Sequence, residues 1–255
     1  MLGMPWADFH THTRYSHGTG TIEDNVREAA RKGLYAVGIT DHGPSMLGIG
    51  IDLRRWERIE KEIRVVQSKY PQVKVLLGVE ANLISEDGDL DIPNEIIGRL
   101  DLLLVGFHLM VRPASWRDGL RLIAGNLAYE SLPRKTQERV RQINTRALIA
   151  AVNRYDVDIV THPGLHLDID TVKLARACVA RNTALEINAS HRVPDVGFVR
   201  AAAREGAFFV LSSDAHSPNR IGDFRKALQV AEEAGVDRGR VVNLDYGWHT
   251  MCRRA

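Results

Sequence analysis

The chain has 255 residues, of which 34 are Lys or Arg and 32 are Asp or Glu, so its formal net charge is +2 with neutral His. A hydrophobic content of 44% supports a sizeable core and excludes a disordered tail, while the balanced charge disfavours a broad nucleic-acid-binding face. Two cysteines, Cys178 and Cys252, exclude a disulfide scaffold and a four-cysteine zinc module; the ten histidines exclude nothing.

In chain order, β-rich runs are predicted at 6–10, 36–40, 73–81, 101–108, 158–161, 184–188 and 208–213. Most are short apolar stretches, as expected of strands buried on both faces. Helices are predicted between them at 21–32, 53–69, 134–154, 170–181, 195–204 and 224–234. Thr21 with Asp24 three positions on has the form of a capping box, and Gly33 and Gly235 stand where helices commonly stop. Cys178 falls inside a helix and reads as a small buried residue. The stretch from Val111 to about Pro133, with several arginines, two prolines and two glycines, reads as a long irregular excursion. Alternating strands and helices imply parallel βαβ units, hence a barrel of the (β/α) type or an open doubly wound sheet. No leader sequence is apparent and no apolar run approaches the length of a membrane span, so a cytoplasmic protein is the expectation.

The strand ends carry the chemical signal. The first ends in His10-Thr11-His12, with His17 soon after. The second runs into Asp41-His42, the third contains Glu80, the fourth ends at His108, the fifth at His162-Pro163, and the seventh at Asp214-Ala215-His216. The sixth, Glu186-Ile187-Asn188, offers only Asn188 as a polar terminus. Each pair alone reads equally well as structural. Together they place His, Asp or Glu at one edge, the carboxyl edge, where sites form in such folds. Residues i and i+2 of a strand share a side, so His10 and His12 are placed to grip one ion. Seven imidazoles and two carboxylates exceed one tetrahedral shell, which implies two or three ions of zinc, manganese or iron.

These residues, with the strings Asp8-Phe9-His10-Thr11-His12-Thr13 and Ile39-Thr40-Asp41-His42-Gly43-Pro44, resemble the PHP (polymerase and histidinol phosphatase) family. The likeness runs from about Trp6 to Leu244 and is strongest to stand-alone bacterial phosphoesterases. It implies one domain over 1–255, a distorted (β/α)7 TIM-like barrel, and a trinuclear metal centre. It also implies that His10, His12, Glu80 and Asp214 hold one ion, that Glu80 bridges to a second completed by His108 and His162, and that His17, His42 and His216 hold a third. The segment at about 111–146 departs from the compact members as an insertion.

The chemistry expected of such a centre is hydrolysis of a small phosphorylated metabolite by a metal-activated hydroxide. Asp41 is assigned to orienting a ligand imidazole and Asn188 to a ligand or substrate. His191 is the candidate general acid, and Arg112, Arg117 and Arg192 are candidates for a distal anion. The rival readings are a phosphodiesterase or nuclease acting on nucleotides or DNA ends, an amidohydrolase, and a non-catalytic metal-binding module. The charge balance disfavours long nucleic acid as a partner, and homo-oligomerisation is left open.

Overall fold

The computed structural model describes residues 2–244; Cys252 and His249 lie outside them. Seven parallel strands follow one another in chain order around a single sheet. They are β1 Ala7–Asp8, β2 Ala36–Ile39, β3 Lys74–Asn82, β4 Leu102–Gly106, β5 Ile159–Val160, β6 Ala184–Asn188 and β7 Phe209–Ser212. Helices Ile22–Arg31, Trp56–Lys69, Arg134–Arg154, Thr171–Arg181, Val196–Arg204 and Arg225–Ala234 cover the outside. The predicted helices therefore stand within a residue or so of their expected bounds, except that 53–55 forms a 3-10 turn ahead of Trp56. Several strands are shorter than expected, because their last residues have left the ladder to face the site. The capping box is present: Asp24 N–H donates to Thr21 Oγ1 at 3.0 Å and Thr21 N–H to Asp24 Oδ2 at 2.9 Å.

The barrel is almost closed. Its first and last strands do not pair with each other, but several contacts span the gap, among them Ser213 N–H donating to Asp8 Oδ1 at 3.1 Å. Above the strands, Thr11 bridges Ala215, with His12 N–H donating to Ala215 O at 2.9 Å. Below, Asn243 sits between β1 and β7. Its Nδ2 donates to Ala7 O at 2.9 Å and Leu211 O at 2.7 Å, and its Oδ1 accepts from Leu211 N–H at 3.1 Å. A fully buried amide thus replaces a rung of ladder that the strands do not form.

The interior is layered. Phe9, Leu76, Leu102, Leu104, Ile159 and Val210 belong to one apolar cluster, while a larger cluster joins the strands to the helices. The period of two that puts Leu76 in the inner cluster carries Glu80 and Asn82 to the same side one layer up. The same rule carries Ala184, an inner residue, to Glu186 and Asn188. The barrel is therefore filled with hydrocarbon at its amino end and with ionisable groups at its carboxyl end.

One expectation needs correction. Residues 116–131 are not an irregular excursion but a nearly continuous helical run, Trp116–Asp118, Gly119–Ala124, Gly125–Leu127 and Tyr129–Ser131, with π-helical geometry at its centre. Ser115 caps its start, donating Oγ–H to Asp118 and accepting from Asp118 N–H at 3.2 Å. Asn126 ties the run to the long following helix through reciprocal side-chain hydrogen bonds with Asn144, both 2.8 Å. Its glycines and flanking prolines disguised a helix whose order comes from these tertiary contacts.

Candidate metal centre

All nine residues at the strand ends meet at the carboxyl edge of the barrel. His10, His12 and Glu80 are fully buried, His42, His162 and Asp214 nearly so, and His17 and His216 stand toward the mouth. His10 Nε2 lies 3.1 Å from His12 Nε2, 3.4 Å from Glu80 Oε2 and 3.6 Å from Asp214 Oδ1. His12 Nε2 lies 3.2 Å from Asp214 Oδ1 and 3.7 Å from Glu80 Oε2. Donors about 2.05 Å from a tetrahedral zinc ion stand about 3.3–3.4 Å apart, so His10, His12 and Asp214 are spaced to share one ion, with Glu80 Oε2 close to both histidines.

A second group surrounds the other oxygen of Glu80. Glu80 Oε1 is 2.8 Å from His162 Nε2 and 3.5 Å from His108 Nε2, and those two nitrogens are 3.3 Å apart. A third gathers His12, His42 and His216, with the His17 ring stacked on His42 at 4.9 Å. His42 also joins Glu80 and His108 in a possible ligand group, its Nδ1 lying 2.7 Å from Glu80 Oε2. The two atoms make no hydrogen bond; each, like His12 Nδ1, is a buried polar atom without a hydrogen-bond partner. Buried groups left this way are costly unless something satisfies them. Convergent orphaned donors of this kind are suited to divalent cations.

The electrostatics agree. Burial, with the neighbouring His42, holds His12 well below the ordinary imidazole range, and burial with His216 and His42 lowers His17 to about 4. Burial also lowers His108 and His216. These rings are neutral near pH 7, as ligands must be. Burial alone would raise Glu80 and Asp214, but the surrounding imidazoles, His10 foremost, hold both well below the usual carboxylate range. His10 and His162 behave oppositely: burial opposes their protonation, but the carboxylates around them raise both above the ordinary value.

Two of these side chains are reached by unusual backbone. His162 has φ 26° and Asp214 φ 50°, both in the left-handed region that non-glycine residues avoid. Strain of this kind persists where surrounding contacts dictate it, most often at functional sites. Gly106 is required for space: a Cβ there would stand 2.4 Å from His108 Cε1 and 2.9 Å from Glu80 Oε1.

The structure also locates the other candidates. Asn188 donates to Glu186 Oε2 at 3.0 Å and Asp214 Oδ2 at 3.1 Å. His191 Nε2 lies 3.1 Å from Asp214 Oδ2 at the rim of the pocket. Asp41 does not contact a ligand imidazole through a hydrogen bond. Its carboxylate accepts from Thr13 N–H at 2.7 Å, Thr13 Oγ1 at 2.6 Å and Ser16 Oγ at 2.5 Å, so it holds the loop that leads to His17. Arg112, Arg117 and Arg192 are exposed and none lines the pocket; Arg117 stacks on Trp116.

Two residues were missed. Glu186, fully buried, accepts from His10 Nδ1 at 2.7 Å and from His162 N–H at 2.6 Å. Despite burial, His10 and His162 hold its carboxyl below the usual range. Asn82 Oδ1 is 2.7 Å from His108 Nδ1, and Asn82 Nδ2 donates to Asp91 Oδ2 at 2.6 Å. Both fix a ring so that Nε2 faces inward. Strand parity with Asn188 and with Glu80 was the available signal.

Comparison with known proteins supports the same reading. The PHP domain family matches residues 8–190. A protein named "Probable phosphatase" from Thermoanaerobacter sp. (strain X514) is 33% identical, covering 94% of this chain and 91% of its own length. Another of that name, from Shewanella frigidimarina (strain NCIMB 400), is 31% identical over 92% of this chain and 88% of its own length. Among solved structures, the histidinol phosphate phosphatase of Lactococcus lactis, complexed with zinc, L-histidinol and phosphate, shares the fold with a TM-score of 0.63 at 16% identity, covering 92% of this chain and 95% of that one. The chain belongs to the PHP domain family.

Proposed function

We propose that this protein is a metal-dependent phosphoesterase that hydrolyses small phosphate monoesters at a centre of three divalent ions, zinc, manganese or iron. The observation that carries the reading is the convergence of nine imidazole and carboxylate side chains on the carboxyl edge of the barrel, with three groups of ligand atoms close enough to share an ion. The names of its relatives and the zinc and phosphate of the Lactococcus lactis structure support it.

In this reading His10, His12, Glu80 and Asp214 hold one ion. Glu80, His108 and His162 hold the second, and His17, His42 and His216 the third. When bound, the ions supply positive charge to the phosphoryl oxygens and lower the pKa of water. The chain's own residues do the rest. Glu186 and Asn82 orient His10 and His108, and Asn188 steadies Asp214. Asp41 anchors the turn carrying His17. In this reading His191, which lines the pocket with its Nε2 3.1 Å from Asp214 Oδ2, gives a proton to the departing alcohol oxygen. No helix among the described residues is long and apolar enough to cross a membrane.

The test is turnover of p-nitrophenyl phosphate by metal-replete protein. Activity should vanish on chelation and return with manganese or zinc. Full activity in a His10→Ala/Asp214→Ala double variant would overturn the assignment.

A further inference from the structure

The pocket over the centre has a volume of about 280 Å³, at or below the small end for small-molecule sites. Its floor is made of the proposed ligands. Its opposite wall is apolar, built from Met46, Ile49, Phe107, Leu109, Met110 and Leu165. Two loops supply most of that wall and are joined to each other: Leu47 N–H donates to Met110 O at 2.9 Å, and Met46 bridges Val111. Among the described residues no Lys or Arg lines the pocket. Apart from the proposed ligands, its only titratable groups are His166 and His191.

This arrangement limits what can sit beyond the phosphoryl group. Among the described residues lining the pocket, a second anionic group would find no Lys or Arg, and an ammonium group would find no carboxylate except Asp214, already enclosed by histidines. Either charge would lose water against methionine and leucine side chains without gaining a partner. An uncharged hydrocarbon body gains by covering the same wall.

Resting on the phosphoesterase reading, we infer that the substrate is a phosphate monoester of a small, uncharged, predominantly apolar alcohol or phenol. In the reaction water supplies the oxygen of the new P–O bond. The P–O bond to the alcohol breaks with its electron pair left on the alcohol oxygen, which takes up a proton, giving inorganic phosphate and the free alcohol.

The experiment compares benzyl phosphate, 4-carboxybenzyl phosphate and 4-(aminomethyl)benzyl phosphate, whose leaving alcohols differ little in acidity, on metal-replete protein. We expect kcat/KM for the benzyl ester to exceed both charged esters by roughly tenfold or more. In Met110→Lys, at an exposed position of the wall, the deficit of the carboxybenzyl ester should shrink and that of the aminomethyl ester should grow, with folding checked by circular dichroism. Equal kcat/KM across the three esters, or a preference for a charged one, overturns the inference while leaving the phosphoesterase reading intact. Failure to hydrolyse any of them, together with p-nitrophenyl phosphate, overturns both.

Discussion

Replacing Glu186 by Gln tests whether the centre depends on a residue that touches none of the proposed ions. The carboxylate uses both oxygens, one toward His10 Nδ1 at 2.7 Å and the other toward His162 N–H at 2.6 Å and Asn188 Nδ2 at 3.0 Å. A glutamine of nearly the same shape has one carbonyl oxygen and one amide nitrogen. Whichever way it turns, a donor meets a donor. Leaving one buried donor unmet costs about 1–3 kcal/mol, and turning the other bond from charge-assisted to neutral costs about 1 kcal/mol more. Part of this falls on the fold and part on the set of the His10 ring. Partners that orient metal-bound histidines are typically worth about 10–100-fold in metal affinity. We therefore expect Glu186→Gln to weaken zinc binding about 10–100-fold in competition with a chromophoric chelator. A folded variant whose zinc affinity lies within twofold of the parent would refute the role given to Glu186.

Other positions offer independent checks. Gly106→Ala should drive a methyl group into His108 and Glu80, lowering stability by about 1–3 kcal/mol and reducing bound metal measured by elemental analysis; unchanged metal content would contradict the packing. Asn243→Ala should cost about 2–4 kcal/mol in urea unfolding, because three buried backbone groups at the barrel seam lose their partner. Thr21→Ala should cost about 1 kcal/mol by removing the helix cap. The cap also lowers Asp24 to about 2, through hydrogen bonds from the Thr21 backbone and side chain. A depressed carboxyl stabilises the fold above its unfolded pKa and loses that effect as pH falls through its folded pKa. The difference between parent and Thr21→Ala should therefore shrink between about pH 4 and pH 2, and a constant difference in thermal melts would argue against the cap. Burial raises the Cys178 thiol to about 12, so its peptide should stay unalkylated by iodoacetamide until denaturant is added; labelling of the native protein would show the helix to be open.

The sequence is most legible where a residue's identity and its local period agree. Strands β2, β3 and β6 are apolar runs buried on both faces, and their residue types alone predict them. The histidines were legible for the same reason, since they recur at one phase of a repeated unit. Glu186 and Asn82 were not: Glu186 lies inside its strand rather than at its end, Asn82 closes its strand as a neutral amide, and each resembles an ordinary polar residue until the partner ring is in place. The arginines failed in the opposite direction. A guanidinium near a site in sequence carries no information about direction, and Arg112, Arg117 and Arg192 are all exposed and outside the pocket lining. The helical run at 116–131 depends on Asn126, Asn144 and other contacts distant in sequence, which propensity cannot register.

The near-closure of the barrel bears on when the centre can exist. Histidines 10 and 12 stand at the exit of the first strand, and Asp214 at the exit of the last; the contact between Thr11 and Ala215 brings them together across some two hundred residues of chain. In the proposed ligand set, a growing chain that has not reached residue 214 lacks one of the four donors of the first ion and one of the three donors of the third. Such a chain can hold those two ions only loosely. Tight uptake of the first and third ions then reports that synthesis and ring closure are complete, and each of those two ions fastens the two edges of the sheet that the strands themselves leave unpaired.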